Sequence, residues 1–140
     1  MAITFSVPGD PVPQPRVRMT RTGLAYTPDN GIRVYRQAIA LAAKAAGATP
    51  TADAPLTLEL TLSFVRPKSH HNKSGLKATA PPLPRGDCSN YLKGVEDALN
   101  GVAYVDDRQL GTVTVHKAYG TAAYTLVTIG LDVPKPRRQQ

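Results

Sequence analysis

The chain has no tryptophan, two phenylalanines and a single cysteine, Cys88. One thiol cannot form an internal disulfide framework or supply a site built on several thiolates, so a disulfide scaffold and a structural zinc ribbon are both excluded. Few large aromatics leave few stacking platforms for single-stranded bases, which ranks a small RNA- or protein-binding module low, although tyrosines could substitute. No apolar run approaches the roughly 18–20 residues that a membrane span needs. The opening MAITFSVPGD also lacks the charged-then-apolar pattern of a signal peptide. The expectation is a soluble, cytoplasmic protein. Acidic residues are scarce too, 10 against 17 lysines and arginines in 140 residues, for a net charge of +7. That imbalance points to an anionic partner, with nucleic acid first.

Charge of both signs is unevenly placed. Thirteen of the 17 basic residues fall in Arg16 to Arg36, Arg66 to Arg85 and Lys135 to Arg138. The stretch from Arg66 to Arg85 contains Arg66, Lys68, Lys73, Lys77 and Arg85 with no acid, as expected of a surface that contacts phosphates. The acids do the opposite: Asp87, Glu96, Asp97, Asp106 and Asp107 are half of all ten, within 21 residues. Ion pairing with flanking bases could account for any one of them. Five together favour a metal site.

Hydrophobic patterning predicts one domain over residues 1–134 and a basic, disordered tail over 135–140. Ile3, Phe5 and Val7 alternate with polar residues as in a half-buried strand, and Pro8-Gly9-Asp10-Pro11 ends it. Prolines 11, 13, 15 and 28 then impose an extended, basic loop carrying Arg16 and Arg18. Asp29 or Asn30 can cap a helix with Ile32, Tyr35, Ile39, Ala42, Ala43 and Ala46 at helical spacing, stopped by Gly47. Leu56, Leu58, Leu60, Leu62 and Phe64 give the clearest period-2 strand. A long, mobile loop over 66–86 follows, and Ser89 or Asp87 can cap a second helix ending at Asn100-Gly101. On that helix Asn90, Lys93 and Asp97 share a face. Residues 110–118 and 122–133 read as two strands joined by a turn at Tyr119-Gly120-Thr121. The order β-α-β-α-β-β predicts an α/β (α+β) domain, a mixed sheet covered by two helices.

Hydrolysis of a phosphodiester needs a cation to neutralise the phosphoryl oxygens and lower the pKa of an attacking water. Protein sites hold Mg²⁺ through one or a few carboxylates plus waters. Asp87 at the helix start and Asp107 after the segment that follows could converge if that segment folds back, with Lys93 reaching a phosphate. Against this stands a plain alternative for Asp97, an i, i+4 pair with Lys93. His70-His71 on a loop suit phosphate contact better than metal. Cys88 has no activating histidine in its element and reads as a small apolar side chain. His116 reads as a surface histidine.

The run from Asp87 to Gln109 resembles the signature of RusA-like Holliday-junction resolvases, endodeoxyribonucleases of bacteria and their phages. That signature is Asp-x-Asp-Asn, a Lys three residues after the Asn, then Asp-Ala-Leu, and a paired Asp-Asp followed by x-Gln. Upstream, the segments around Arg16 and Arg18, Ala25-Tyr26-Thr27-Pro28 and Arg66-Pro67-Lys68-Ser69-His70-His71 are similar to phage members. The resemblance implies a homodimer, in the cytoplasm of a bacterium or encoded by its phage, that nicks two strands of a four-way DNA junction symmetrically. It implies Mg²⁺, with Mn²⁺ as a substitute, held by Asp87 and Asp107, with Asp106 and Asp97 at further family positions and Lys93 as the phosphate-contacting cation. Ser89 stands where the family has its second aspartate. Either Mg²⁺ binds more weakly, or Ser89 caps the helix and another acid such as Asp106 completes the ligand set. A disarmed DNA-binding protein of the same fold is the competing reading.

Overall fold

The structure, a computed structural model, describes residues 2–132. The expected tail at 135–140 lies outside them. The main elements follow the expected order: β1 (Ile3–Pro8), α1 (Ile32–Ala45), β4 (Leu56–Val65), α2 (Cys88–Leu99), β7 (Leu110–Gly120) and β8 (Tyr124–Leu131). Two small hairpins interrupt the loops. β2 (Arg18–Met19) pairs with β3 (Ala25–Tyr26) in the first, and β5 (His71–Asn72) pairs with β6 (Gly75–Leu76) in the second. The two stretches read as structureless therefore each fold back once, over turns that place Gly23 and Gly75 in left-handed backbone.

The four long strands form one sheet in the order β1-β8-β4-β7, with β4 and β7 parallel and the other pairs antiparallel. Adjacent in sequence, β7 and β8 nonetheless do not pair: their connection passes over the end of β4. Buried Ser63 holds that crossing, its hydroxyl donating to the Ala122 carbonyl at 2.6 Å. A parallel pair needs a crossover, and α2 supplies it, making β4-α2-β7 a βαβ unit.

Alternation along β4 places Leu56, Leu58, Leu60 and Leu62 in the core, beside Val127 and Ile129 of β8. Each such side chain contributes about 1.5–3 kcal/mol by leaving water. α1 adds Ile32, Tyr35, Ile39 and Ala43, and α2 adds Tyr91, Val95, Ala98 and Leu99. The opposite sheet face, with Thr4, Ser6 and Glu59, is exposed. One buried polar contact ties the layers together: Tyr35 Oη lies 2.5 Å from Thr125 Oγ1, and burial pushes that phenol up to about 12.

Capping differs from expectation. Gly31, not Asp29 or Asn30, is the N-cap of α1, at φ +93°. Asp29 instead accepts from the Gly31 amide, and Asn30 donates to the Pro13 carbonyl, so both fasten the approach to the helix. Ala46 is exposed at the C-cap, and Gly47 at φ +96° ends the helix as expected. No helix among the described residues is long and apolar enough to cross a membrane.

Candidate active site

α2 carries the sequence motif, and its two ends present different chemistry. At its start, Asp87 occupies the N-cap position, but its side chain makes no capping bond. Ser89 does not cap either; it is an exposed residue inside the helix. The Asp87 carboxylate is 68% exposed and meets Arg16, whose Nη2 is 3.5 Å from Oδ2.

The turn that delivers Asp87 is held from behind. Lys117 of β7 donates to the carbonyls of Pro84 and Gly86 at 2.8 and 2.6 Å. Tyr91 Oη donates to the Arg85 carbonyl at 3.2 Å. Gly86 takes φ +93°, and a Cβ there would lie 2.8 Å from Tyr91 Cε2, so the turn presses flat on that ring. Nothing in the local sequence announces Lys117, which is 31 residues away.

Further along the helix, Asp97 sits between two cations. Lys93 Nζ lies 3.4 Å from Oδ1 and Arg36 Nη2 lies 3.4 Å from Oδ2. The i, i+4 pair is thus present, and Arg36 of α1 joins it. Arg36 also donates to Gln14 Oε1, while its Nε is buried without a partner among the described residues. Half-buried Asn90 accepts the Gln14 amide on its carbonyl at 3.0 Å.

At the far end of α2 the chain folds back through buried Tyr104, whose hydroxyl donates to the Glu96 carbonyl at 2.9 Å. Asp106 then caps a short 3-10 turn over Asp107–Gln109, accepting the Arg108 amide at 3.0 Å. That backbone bond, with smaller help from Asp107 and Arg108, lowers the Asp106 pKa. Gln109 locks the turn: Oε1 accepts the amides of Val105 and Asp106, and Nε2 donates to the carbonyls of Thr51 and Ala54. Asp106-x-x-Gln109 is a capping box, a pattern visible in the sequence that was not assigned.

Glu96, one of the five clustered acids, has its carboxyl raised by burial first and by the nearby charge of Asp107 second. Burial, Glu96, Asp107, Asp97 and Asp106 together push the Tyr104 phenol far up. These shifts mark a pocket of negative potential around the end of α2.

The structure therefore groups Asp106, Asp107 and Glu96, but it does not bring Asp87 into the same set. Glu96 lies nine residues beyond Asp87, about 13 Å of helix rise. Among the described residues no three His, Cys, Asp or Glu side chains converge closely enough to hold a metal ion. The returning segment does fold beside the helix, as the sequence suggests, but it lands on the last turn of α2.

Of the basic candidates, Arg16 and Arg18 lie on the exposed 10–28 segment, with Lys68, Lys73, Lys77 and Arg85 exposed on the 66–86 segment. Arg66 and His70 are half-buried against Tyr119. Desolvation first, and then the charges of Arg66, His71, Lys77 and Arg85, lower the His70 pKa. Cys88 is half-buried, and His116 is exposed, as expected of a surface histidine.

The family model described as Endodeoxyribonuclease RusA matches residues 8–130 of the chain. An uncharacterized protein of Bacillus subtilis (strain 168), YqaN, is 33% identical over 124 residues, which cover 84% of this chain and 87% of the relative.

Proposed function

Because the chain belongs to the RusA endodeoxyribonuclease family, we propose that it is a Mg²⁺-dependent nuclease that resolves four-way DNA junctions by paired, symmetric nicks. The observation that carries this reading is the join of a basic segment to an acid-rich crossover helix, with Arg16 on Asp87 and Lys93 on the same helix. DNA phosphates would contact Arg16, Arg18, Lys68, Lys73, Lys77 and Arg85, all exposed.

The donor set suits the ion. All the candidate donors are carboxylate oxygens, and Mg²⁺ is usually held by one or two carboxylates, waters and substrate phosphates. Asp107 and Asp106 would hold it, next to Glu96, whose carboxyl is raised first by burial and then by the charge of Asp107. When bound, the ion supplies charge neutralisation at the phosphoryl group and a water of lowered pKa. A phosphate that takes Arg16 would free the Asp87 carboxylate to accept a proton or orient water. Lys93 would likewise exchange Asp97 for a phosphate oxygen. A homodimer would place two such sites about a two-fold axis, matching the symmetry of an open junction.

The test is a labelled synthetic four-way junction incubated with protein and Mg²⁺ or EDTA, beside Asp87→Asn. Paired nicks that need both metal and Asp87 support the resolvase. Junction binding without cleavage supports the disarmed binder, whose motivating observation is Ser89 in place of the family's aspartate. Because Ser89 is exposed and caps nothing, Ser89→Asp is expected to fold normally. It should keep or raise Mg²⁺-dependent cleavage, as read from initial rates across a Mg²⁺ titration. Lost cleavage with an unchanged melting curve would give the hydroxyl a role of its own.

A further inference from the structure

A cavity of about 610 Å³ opens beside the last residues of β4 and β7, within the about 300–1,000 Å³ range of small-molecule sites. Three aromatic rings, Phe64, Tyr91 and Tyr119, are part of its lining. Phe64 and Tyr91 meet edge to face with centroids 5.5 Å apart, and the half-buried Tyr119 ring faces the same space. The guanidinium of Arg66 lies 4.1 Å from the Tyr119 centroid, held there by Nη1 donating to the Pro81 carbonyl at 2.8 Å. The rim residues Pro84 and Arg85 belong to the turn that delivers Asp87, so the cavity adjoins one end of the proposed site.

A surface that only gathers phosphates has no use for a hollow of aromatic rings. Rings and guanidinium planes are what an unstacked base lies on, because every base has a π-face that would otherwise meet water. The lining also contains one carboxylate, Asp10, in a strongly basic neighbourhood. A carboxylate there repels phosphate but accepts from an exocyclic amino group.

We propose that this cavity receives one unpaired nucleobase of the bound DNA, with amino-bearing bases preferred over thymine. This rests on the junction-nuclease reading and adds a source of sequence preference to it. Tyr119 supplies the stacking surface, Asp10 takes the amino group, and Arg85 at the rim takes the neighbouring phosphate.

The experiment measures dissociation constants in EDTA for junctions in which each nucleotide flanking the crossover is in turn cytosine, thymine or abasic. At one position the wild-type protein should bind the abasic junction about five- to a hundredfold more weakly, the range of a single base–aromatic stack. Tyr119→Ala should bind abasic and intact junctions alike, Tyr119→Phe should restore discrimination, and Asp10→Asn should lose the preference for cytosine over thymine. A junction bound and, with Mg²⁺, cut without base preference at any position overturns this proposal and leaves the nuclease reading standing. Equal weakening of both junctions by Tyr119→Ala overturns it as well. Failure of the wild type to bind any junction overturns both.

Discussion

Asp107→Asn is expected to lower the junction cleavage rate by about a thousandfold, roughly 4 kcal/mol of lost transition-state stabilisation, the scale of a metal acting as Lewis acid. Junction affinity should stay the same or rise, because the substitution removes a negative charge from a surface that faces phosphates. The fold should be indifferent. Asp107 is half-buried in a turn held by Asp106 and Gln109, and Asn keeps its shape. Its departure also relieves Glu96, whose carboxyl is raised partly by Asp107. Single-turnover rates and gel-shift affinities on the same junction separate the two effects. Unchanged cutting would remove Asp107 from the site and leave the ion without its central ligand.

Gln109→Ala should have the largest effect on stability outside the core. One amide ties two chain segments together, satisfying the amides of Val105 and Asp106 and the carbonyls of Thr51 and Ala54. Each such bond is worth about 0.5–1.5 kcal/mol, and a group left without its partner costs more. A loss of roughly 2–4 kcal/mol follows, on the order of 10 °C in Tm for a chain of this size. Cleavage should fall with it even below the melting transition, since the turn bearing Asp106 and Asp107 loses its anchor. Gln109→Glu separates the causes. It keeps the acceptor for the two amides but sets a carboxylate against the two carbonyls, so it should be no more stable than Gln109→Ala. A thermal melt of both variants beside wild type decides this, and equal Tm values would mean that water replaces the amide without loss.

Period-2 and helical spacing made the core legible, because burial acts on residues a fixed distance apart in sequence. Leu56, Leu58, Leu60 and Leu62 needed no partner to be recognised as one face of a strand. The order of strands was not legible: β7 and β8 are neighbours in sequence, yet β4 lies between them, parallel to β7 and antiparallel to β8. The same limit applies to the site. Asp87, Lys93, Asp106 and Asp107 stand out as residue types, and the Lys93–Asp97 pair follows from helical geometry. The 13 Å or so of α2 between Asp87 and Glu96 was countable, but which turn the returning segment would meet was not. That depends on where Tyr104 buries its ring. Long-range supports such as Lys117 on the Gly86 turn leave no local trace at all.

The strand order also governs when the molecule can form. β1 and β4 do not pair with each other, and all their sheet partners lie in residues 110–131. A nascent chain therefore emerges from the ribosome with the core strand Leu56–Val65 unpaired while about 45 further residues are made. Non-local pairing of this kind makes folding slow. Meanwhile the proline-rich, basic segment 66–86 that follows β4 carries the charge and proline that keep exposed strands from pairing with other chains. The residues proposed to meet phosphate in the finished protein would thus also guard it during synthesis.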